Sequence, residues 1–125
     1  MAYADAVVLN IQEISRAGKA LEENLVTPEA TANGNKFLND GKTFLLVING
    51  DADPTTVTFD TPGSIDGQAF GDLAVTVAAT GDGDGLDKQL IGPFTGIFNQ
   101  SDGYVWVTCS AVTNVTIGAF RLANP

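Results

Sequence analysis

The chain has no histidine and only one cysteine, Cys109. These two scarcities exclude most of the chemistry available to an enzyme. A Ser-His-Asp or Cys-His arrangement cannot be assembled, a His-ligated zinc site cannot be assembled, and one thiol cannot close an internal disulfide. Only carboxylates, Lys and Tyr remain as general acid–base groups, and no enzymatic activity and no cofactor are expected. Basic charge is scarce as well: six Lys and Arg stand against fifteen Asp and Glu, a net charge of −9. Phosphate backbones are held mainly through Lys and Arg, so no nucleic-acid partner is expected. No run of about 18 apolar residues occurs, which argues against a membrane partner. The opening Met1-Ala2-Tyr3-Ala4-Asp5 lacks the basic start and apolar stretch of a secretory signal. A protein made in the cytoplasm is expected. On that ground the sequons Asn99-Gln100-Ser101 and Asn114-Val115-Thr116 are not read as glycosylation sites.

What remains is apolar and punctuated. At 125 residues the chain fits one domain, and area scaling lets a domain of this size bury about two-thirds of its surface without metal or disulfide. Hydrophobic residues make up 44% and charged residues 17%. That charge content is low for a soluble domain, which hints that a partner covers part of the surface. From Asp40 onward the hydrophobic period is two and the breaks are Gly, Asn, Asp and Pro, the pattern of an all-β domain. Six strands are predicted there: Thr43 to Ile48, Thr55 to Asp60, Leu73 to Ala78, Gln89 to Ile91, Tyr104 to Ser110 and Asn114 to Leu122. The first, with Phe44, Leu45, Leu46, Val47 and Ile48 in succession, reads as a central strand covered on both sides. Cys109 lies in the apolar run from Val105 to Val112 and reads as a small core residue.

The N-terminal third is more ambiguous. Val7, Leu9 and Ile11 alternate against Val8, Asn10 and Gln12. Beyond Arg16, a helix over Ala17 to Leu25 competes with a strand over Ala20 to Thr27. The strand is favoured because an even number of strands lets two sheets close, and Glu29 to Lys36 reads as a loop before Phe37. The expected fold is therefore an all-β, two-sheet β-sandwich of about eight strands, jelly-roll-like or otherwise Greek-key in connection. Residues 1–36 are expected to be an N-terminal arm or the first strands, and residues 37–125 the sandwich core of a single domain.

The densest acidic cluster is Gly81-Asp82-Gly83-Asp84-Gly85-Leu86-Asp87. An EF-hand loop starting at Asp82 would need Gly and Glu where this chain has Asp87 and Pro93, so the cluster reads as an acidic hairpin tip, with no metal assigned. Gly63, Gly67 and Gly71 lack the Lys and Ser or Thr of a phosphate-binding loop. Asp40, Asp51, Asp53, Asp66, Asp72 and Asp102 sit beside turn residues and read as turn formers, not as a catalytic pair. The aromatic residues carry the strongest functional signal. In Tyr104-Val105-Trp106-Val107-Thr108 the valines share one face with Cys109, leaving Tyr104 and Trp106 together on the other as a candidate partner surface, unless that face too is covered. Val7, Val8, Leu9 and Ile11, in an apolar segment close to a terminus, are the other interface candidates.

The segments Asn39-Asp40-Gly41-Lys42-Thr43-Phe44-Leu45-Leu46-Val47, Leu90-Ile91-Gly92-Pro93-Phe94, Phe98-Asn99-Gln100-Ser101-Asp102-Gly103 and Val115-Thr116-Ile117-Gly118-Ala119-Phe120-Arg121-Leu122 resemble a family of small proteins encoded among the head genes of tailed bacteriophages, the capsid cement or decoration proteins. The resemblance covers roughly Phe37 to Leu122 and rests on turn-and-strand motifs, so it brings no catalytic or ligand-binding residues with it. It implies a structural virion protein on the capsid exterior, with the major capsid protein as partner and self-association into a homo-dimer or homo-trimer at a symmetry axis. A receptor- or glycan-binding module of a phage tail or fibre is the alternative, because aromatic faces on β-sandwiches also stack on sugars.

Overall fold

In the computed structural model, which describes residues 5–31, 33–69, 71–81 and 83–122, two mixed sheets pack face to face. The strands are β1 (Val7–Val8), β2 (Ile11–Ile14), β3 (Asn35–Leu38), β4 (Thr43–Asn49), β5 (Thr55–Phe59), β6 (Ser64–Ile65), β7 (Gln68–Ala69), β8 (Leu73–Val77), β9 (Lys88–Ile91), β10 (Tyr104–Cys109) and β11 (Val115–Leu122). The larger sheet has the order β1-β3-β10-β5-β8 and the smaller β2-β11-β4-β9, while β6 and β7 form a separate two-stranded ribbon. Pairing is antiparallel except for β1 with β3 and β2 with β11, which are parallel. The chain is an all-β, two-sheet sandwich. All six strands expected after Asp40 are present, within a residue or two at their ends.

The alternation explains the packing. Val105 and Val107 of β10, Val57 and Phe59 of β5 and Phe37 of β3 point inward from the larger sheet. They meet Leu45 and Val47 of β4 and Val115, Ile117 and Ala119 of β11 from the smaller one, all fully or almost fully buried. Phe94, from the connection after β9, fills one end of the core. Its ring centroid lies 4.8 Å from that of Phe59, 5.6 Å from Phe37 and 5.3 Å from Phe98, within the range in which tilted and edge-on rings attract.

Buried and half-buried asparagine amides hold the loops. Asn49 Nδ2 donates to Asp53 O (2.9 Å) and Ala78 O (3.1 Å), while its Oδ1 accepts from Asp51 N (2.9 Å). Asn35 Oδ1 accepts from Glu29 N (2.8 Å) and its Nδ2 donates to Val7 O (3.3 Å). Asn39 Nδ2 donates to Asn99 Oδ1 (2.7 Å) and Phe94 O (3.1 Å). Each bond replaces water on a loop carbonyl or amide that would be costly to leave unpaired.

Two expectations are corrected. No strand runs from Ala20 to Thr27 and no helix from Ala17 to Leu25. Gly18 has a positive φ of 93°, Leu21 to Asn24 are exposed, and the backbone pairs at Val26 alone, by an isolated bridge to Ile117. The presumed loop before Phe37 ends in a strand, β3, because Gly34 takes a φ of 64° that turns Asn35 inward. A Cβ on Gly34 would collide with the Val107 carbonyl oxygen, so only glycine fits. Among the described residues nine strands make up the two sheets, in keeping with the eight or so expected, and β6 and β7 add the separate ribbon.

Residues 7–14 divide between the sheets. The chain crosses from β1 to β2 at Leu9 and Asn10, placing Leu9 between the sheets at 5% exposure. Arg121 of β11 then ties this end down, donating through Nη1 to Glu13 of β2 (2.7 Å) and through Nε to Asp40 (2.8 Å). Burial acts to raise the Asp40 carboxyl. It is outweighed by hydrogen bonds from Arg121, the Lys42 amide and the Thr43 hydroxyl, and by the charge of Arg121, so the carboxyl titrates below its ordinary 3.8.

Two outcomes follow from this arrangement. Deleting residues 1–16 removes β1, β2 and a core leucine, so the cooperative thermal transition should be lost or its midpoint lowered by well over 10 °C, as expected for losses of several kcal/mol. Because the folded value of Asp40 lies below its unfolded value, its contribution is complete above about pH 4 and disappears as pH falls through the lowered folded value. Melting midpoints measured between pH 6 and pH 2 should therefore fall more steeply for the natural protein than for Asp40→Asn.

Candidate functional site

The register that turns Val105 and Val107 inward leaves Tyr104 and Trp106 together on the outer face of the larger sheet, both half-buried. Trp106 lies opposite Lys36 of β3, and its indole Nε1 donates to Asn33 O (2.8 Å). Tyr104 lies opposite the exposed Leu38, and the Lys36 ammonium stands 5.4 Å from its ring centroid, a cation–π distance. Beyond Trp106 the same face carries Thr108 and Thr58, paired across β10 and β5. These three side chains, with Asp60 and Asp72, line a pocket of about 220 Å³.

The carboxylates of this pocket are held from behind. Asp60 Oδ2 accepts from Gln100 Nε2 (2.6 Å). Asp72 Oδ1 accepts from the amide and hydroxyl of Thr61 (3.0 and 3.4 Å). Among the described residues neither forms a salt bridge. Asp72 thus clamps one loop to another across eleven positions instead of bonding its own turn, whereas Asp102 and Asp40 do bond the amide two residues on (3.3 and 2.9 Å).

The outer face of the smaller sheet is mostly apolar, with Gln12, Lys88 and Thr116 as its polar members by register. Phe44, Leu46 and Ile48 of β4, Leu90 of β9, and Phe120 and Leu122 of β11 share it by register. Leu46 and Phe120 are buried, Phe44 and Ile48 half-buried, and Leu90 and Leu122 exposed at 53% and 46%. Leu25 closes over Gly118, where an added Cβ would lie 2.5 Å from its Cδ2. This surface is absent from the sequence-derived candidates because the apolar run of β4 reads as a strand covered on both sides. The exposed signal was Leu90, which alternates with the inward Ile91.

A third concave surface, of about 730 Å³, runs beside β1 and the segment from Glu23 to Glu29. Val7 and Val8 stand at its rim, 46% and 52% exposed. Leu9 lines the same surface but is only 5% exposed, and Ile11 is not among the lining residues. Leu9 belongs to the core, and Ile11, paired with Ala119, packs against it. The crossing from one sheet to the other is what sends these two side chains inward.

Among the described residues no three His, Cys, Asp or Glu side chains converge as a metal site would require, and none of the helices is long and apolar enough to cross a membrane. Asp82, in the acidic loop, lies outside the described residues, as do Met1 to Ala4 of the N-terminal segment. Comparison with family models, with curated proteins and with solved structures found no match to this chain.

Cys109 packs against the core from the end of β10, and burial pushes its thiol up to about 11. Roughly one thiol in a thousand is ionised at pH 8 under that value. An aromatic disulfide reagent at pH 8 should therefore label the folded protein at least about a hundredfold more slowly than the same protein in denaturant.

Proposed function

We propose that this chain is a structural, non-enzymatic cement or decoration protein that binds the outside of an icosahedral phage head. The observation that carries the reading is the outer face of the smaller sheet, where Leu90, Leu122, Phe44 and Ile48 form an apolar surface on an otherwise acidic domain. A monomer seldom leaves such a face to water, and an apolar patch on a sheet suits a protein partner. The turn-and-strand resemblance to head proteins supports the same reading. The acidic surface would not compete for packaged DNA.

A cement protein acts by linkage. It binds the assembled shell and not the free coat subunit, so its binding free energy adds to the shell's resistance to internal pressure, and icosahedral symmetry repeats that contribution at every equivalent site. Sites on symmetry axes would bring copies together as dimers or trimers.

Gel densitometry of purified particles of the encoding phage, against the coat protein, tests the reading: copies on the order of hundreds per particle are expected from shell symmetry. Tens or fewer would place the chain on a tail or fibre, and absence from particles would overturn the virion role. Leu90→Glu should leave the melting midpoint of the isolated protein unchanged within a few degrees, since the side chain is more than half exposed. The same change should weaken sedimentation with emptied heads about tenfold or more by placing a charge in an apolar contact. Undiminished binding would remove this face from the interface.

A further inference from the structure

The cleft beside β1 has two walls, and polar clamps set their spacing. Where the walls begin, the side chain of Asn35, 3% exposed, accepts from the Glu29 amide and donates to Val7 O. Where they finish, Asn24 Nδ2 donates to Gln12 Oε1 (3.4 Å). Between them lie about 730 Å³, within the range of preformed binding sites. A cleft whose walls are spaced in advance loses little freedom when it is filled. We propose that it receives an extended segment of another polypeptide in which apolar residues alternate with Lys or Arg, laid along β1 as an added strand.

The backbone of β1 favours a strand as the occupant. Val7 and Leu9 donate their amides to Gly34 O and Lys36 O on the β3 side (3.0 and 2.8 Å). By the alternation of a strand, the N–H and C=O of Val8 between them point away from β3. Among the described residues no strand lies beyond β1 in the larger sheet, and neither residue of β1 is the Lys or Pro that blunts an edge. An incoming main chain supplies a donor and an acceptor to such an edge, and a lipid chain supplies neither. The side chains define what that main chain carries. Leu9 and Ile117, 5% and 0% exposed, form an apolar floor, and the exposed Val7, Val8 and Val26 form the rim. Glu23 and Glu29 stand on the wall opposite β1. All six Lys and Arg of the chain are described, and none lines the cleft. Apolar side chains of the guest cover the valines while basic ones meet the two carboxylates. A second copy of this chain, at a net charge of −9, would bring mostly acid to an acidic rim.

The probe is a fluorescently labelled, end-capped hexapeptide that alternates valine and lysine. Titrated with the full-length protein, its anisotropy should rise to saturation with a Kd of about 10–100 µM. A glycine–lysine peptide of the same charge, and the valine–lysine peptide with its internal amides N-methylated, should each bind about tenfold more weakly or worse. Val8→Pro removes the outward N–H and leaves both amides that bond β3, and the double change Glu23→Gln with Glu29→Gln removes the charge while keeping Oε1 of Glu29 for the Thr31 amide. Both variants should lose about tenfold in affinity, with melting midpoints within a few degrees of the natural protein. If Val8→Pro fails to fold, the N-methylated peptide tests the same bonds from the other side. Absence of saturable binding up to about 1 mM, equal binding of the glycine–lysine peptide, or equal binding of the N-methylated one would overturn the assignment. So would self-association in sedimentation that Val8→Pro abolishes, which would give the edge to a second copy. No phage particle is used, so the outcome is independent of the capsid reading.

Discussion

The pleat governs every surface of this molecule. On a strand, a residue that faces the core obliges its neighbours to face away, and slipping the register by one would exchange the two faces entirely. Burying Val105 and Val107 leaves Tyr104 and Trp106 outside. Burying Leu45 and Val47 leaves Phe44, Leu46 and Ile48 outside. The large free energy of closing the core, with Phe37, Phe59 and Phe94 packed ring against ring, thus also fixes which side chains the molecule presents to others.

How much of this could be read from the chain depended on how locally each residue's fate was decided. Alternating strands such as Thr55–Phe59 and Leu73–Val77 carry their period in five residues and end in Gly, Pro or Asp, and they were legible in full. The span from Ala17 to Thr27 was not, because it is fixed by contacts outside itself: Val26 on Ile117 and Leu25 on Gly118 of β11, about ninety positions away, and Asn24 on Gln12 of β2. The outward placement of Tyr104 and Trp106 followed from the valines beside them. The pocket next to Trp106 did not, since Asp60 and Asp72 come from two loops that only the folded sheet brings together. Leu9 and Ile11 were misplaced for a related reason: alternation says that one face is buried, not that the chain changes sheets between them.

Polar residues complete what the apolar faces begin. The side chains of Asn35, Asn39 and Asn49 each bond two separate segments, and among the described residues no buried side-chain nitrogen or oxygen lacks a partner. Asparagine in this chain therefore marks two different things, a turn by its backbone and a clamp by its amide. With a single cysteine in the chain and no cluster of metal-ligating side chains among the described residues, such clamps are how this small sandwich keeps long connections in place.

The parallel pairing of β2 with β11 sets an order of events during synthesis. Ile11–Ile14 leaves the ribosome early, but its partners are Ala119 to Leu122, and Arg121 reaches Glu13 across 108 positions. The smaller sheet cannot acquire its outermost strand until almost all of the chain has emerged, and pairings this distant are slow to form. Until then the nascent domain holds an unfinished sheet edge and an unfilled place for Leu9. The newborn chain is thus briefly a stickier object than the mature protein, and any chaperone that meets it would do so in that interval.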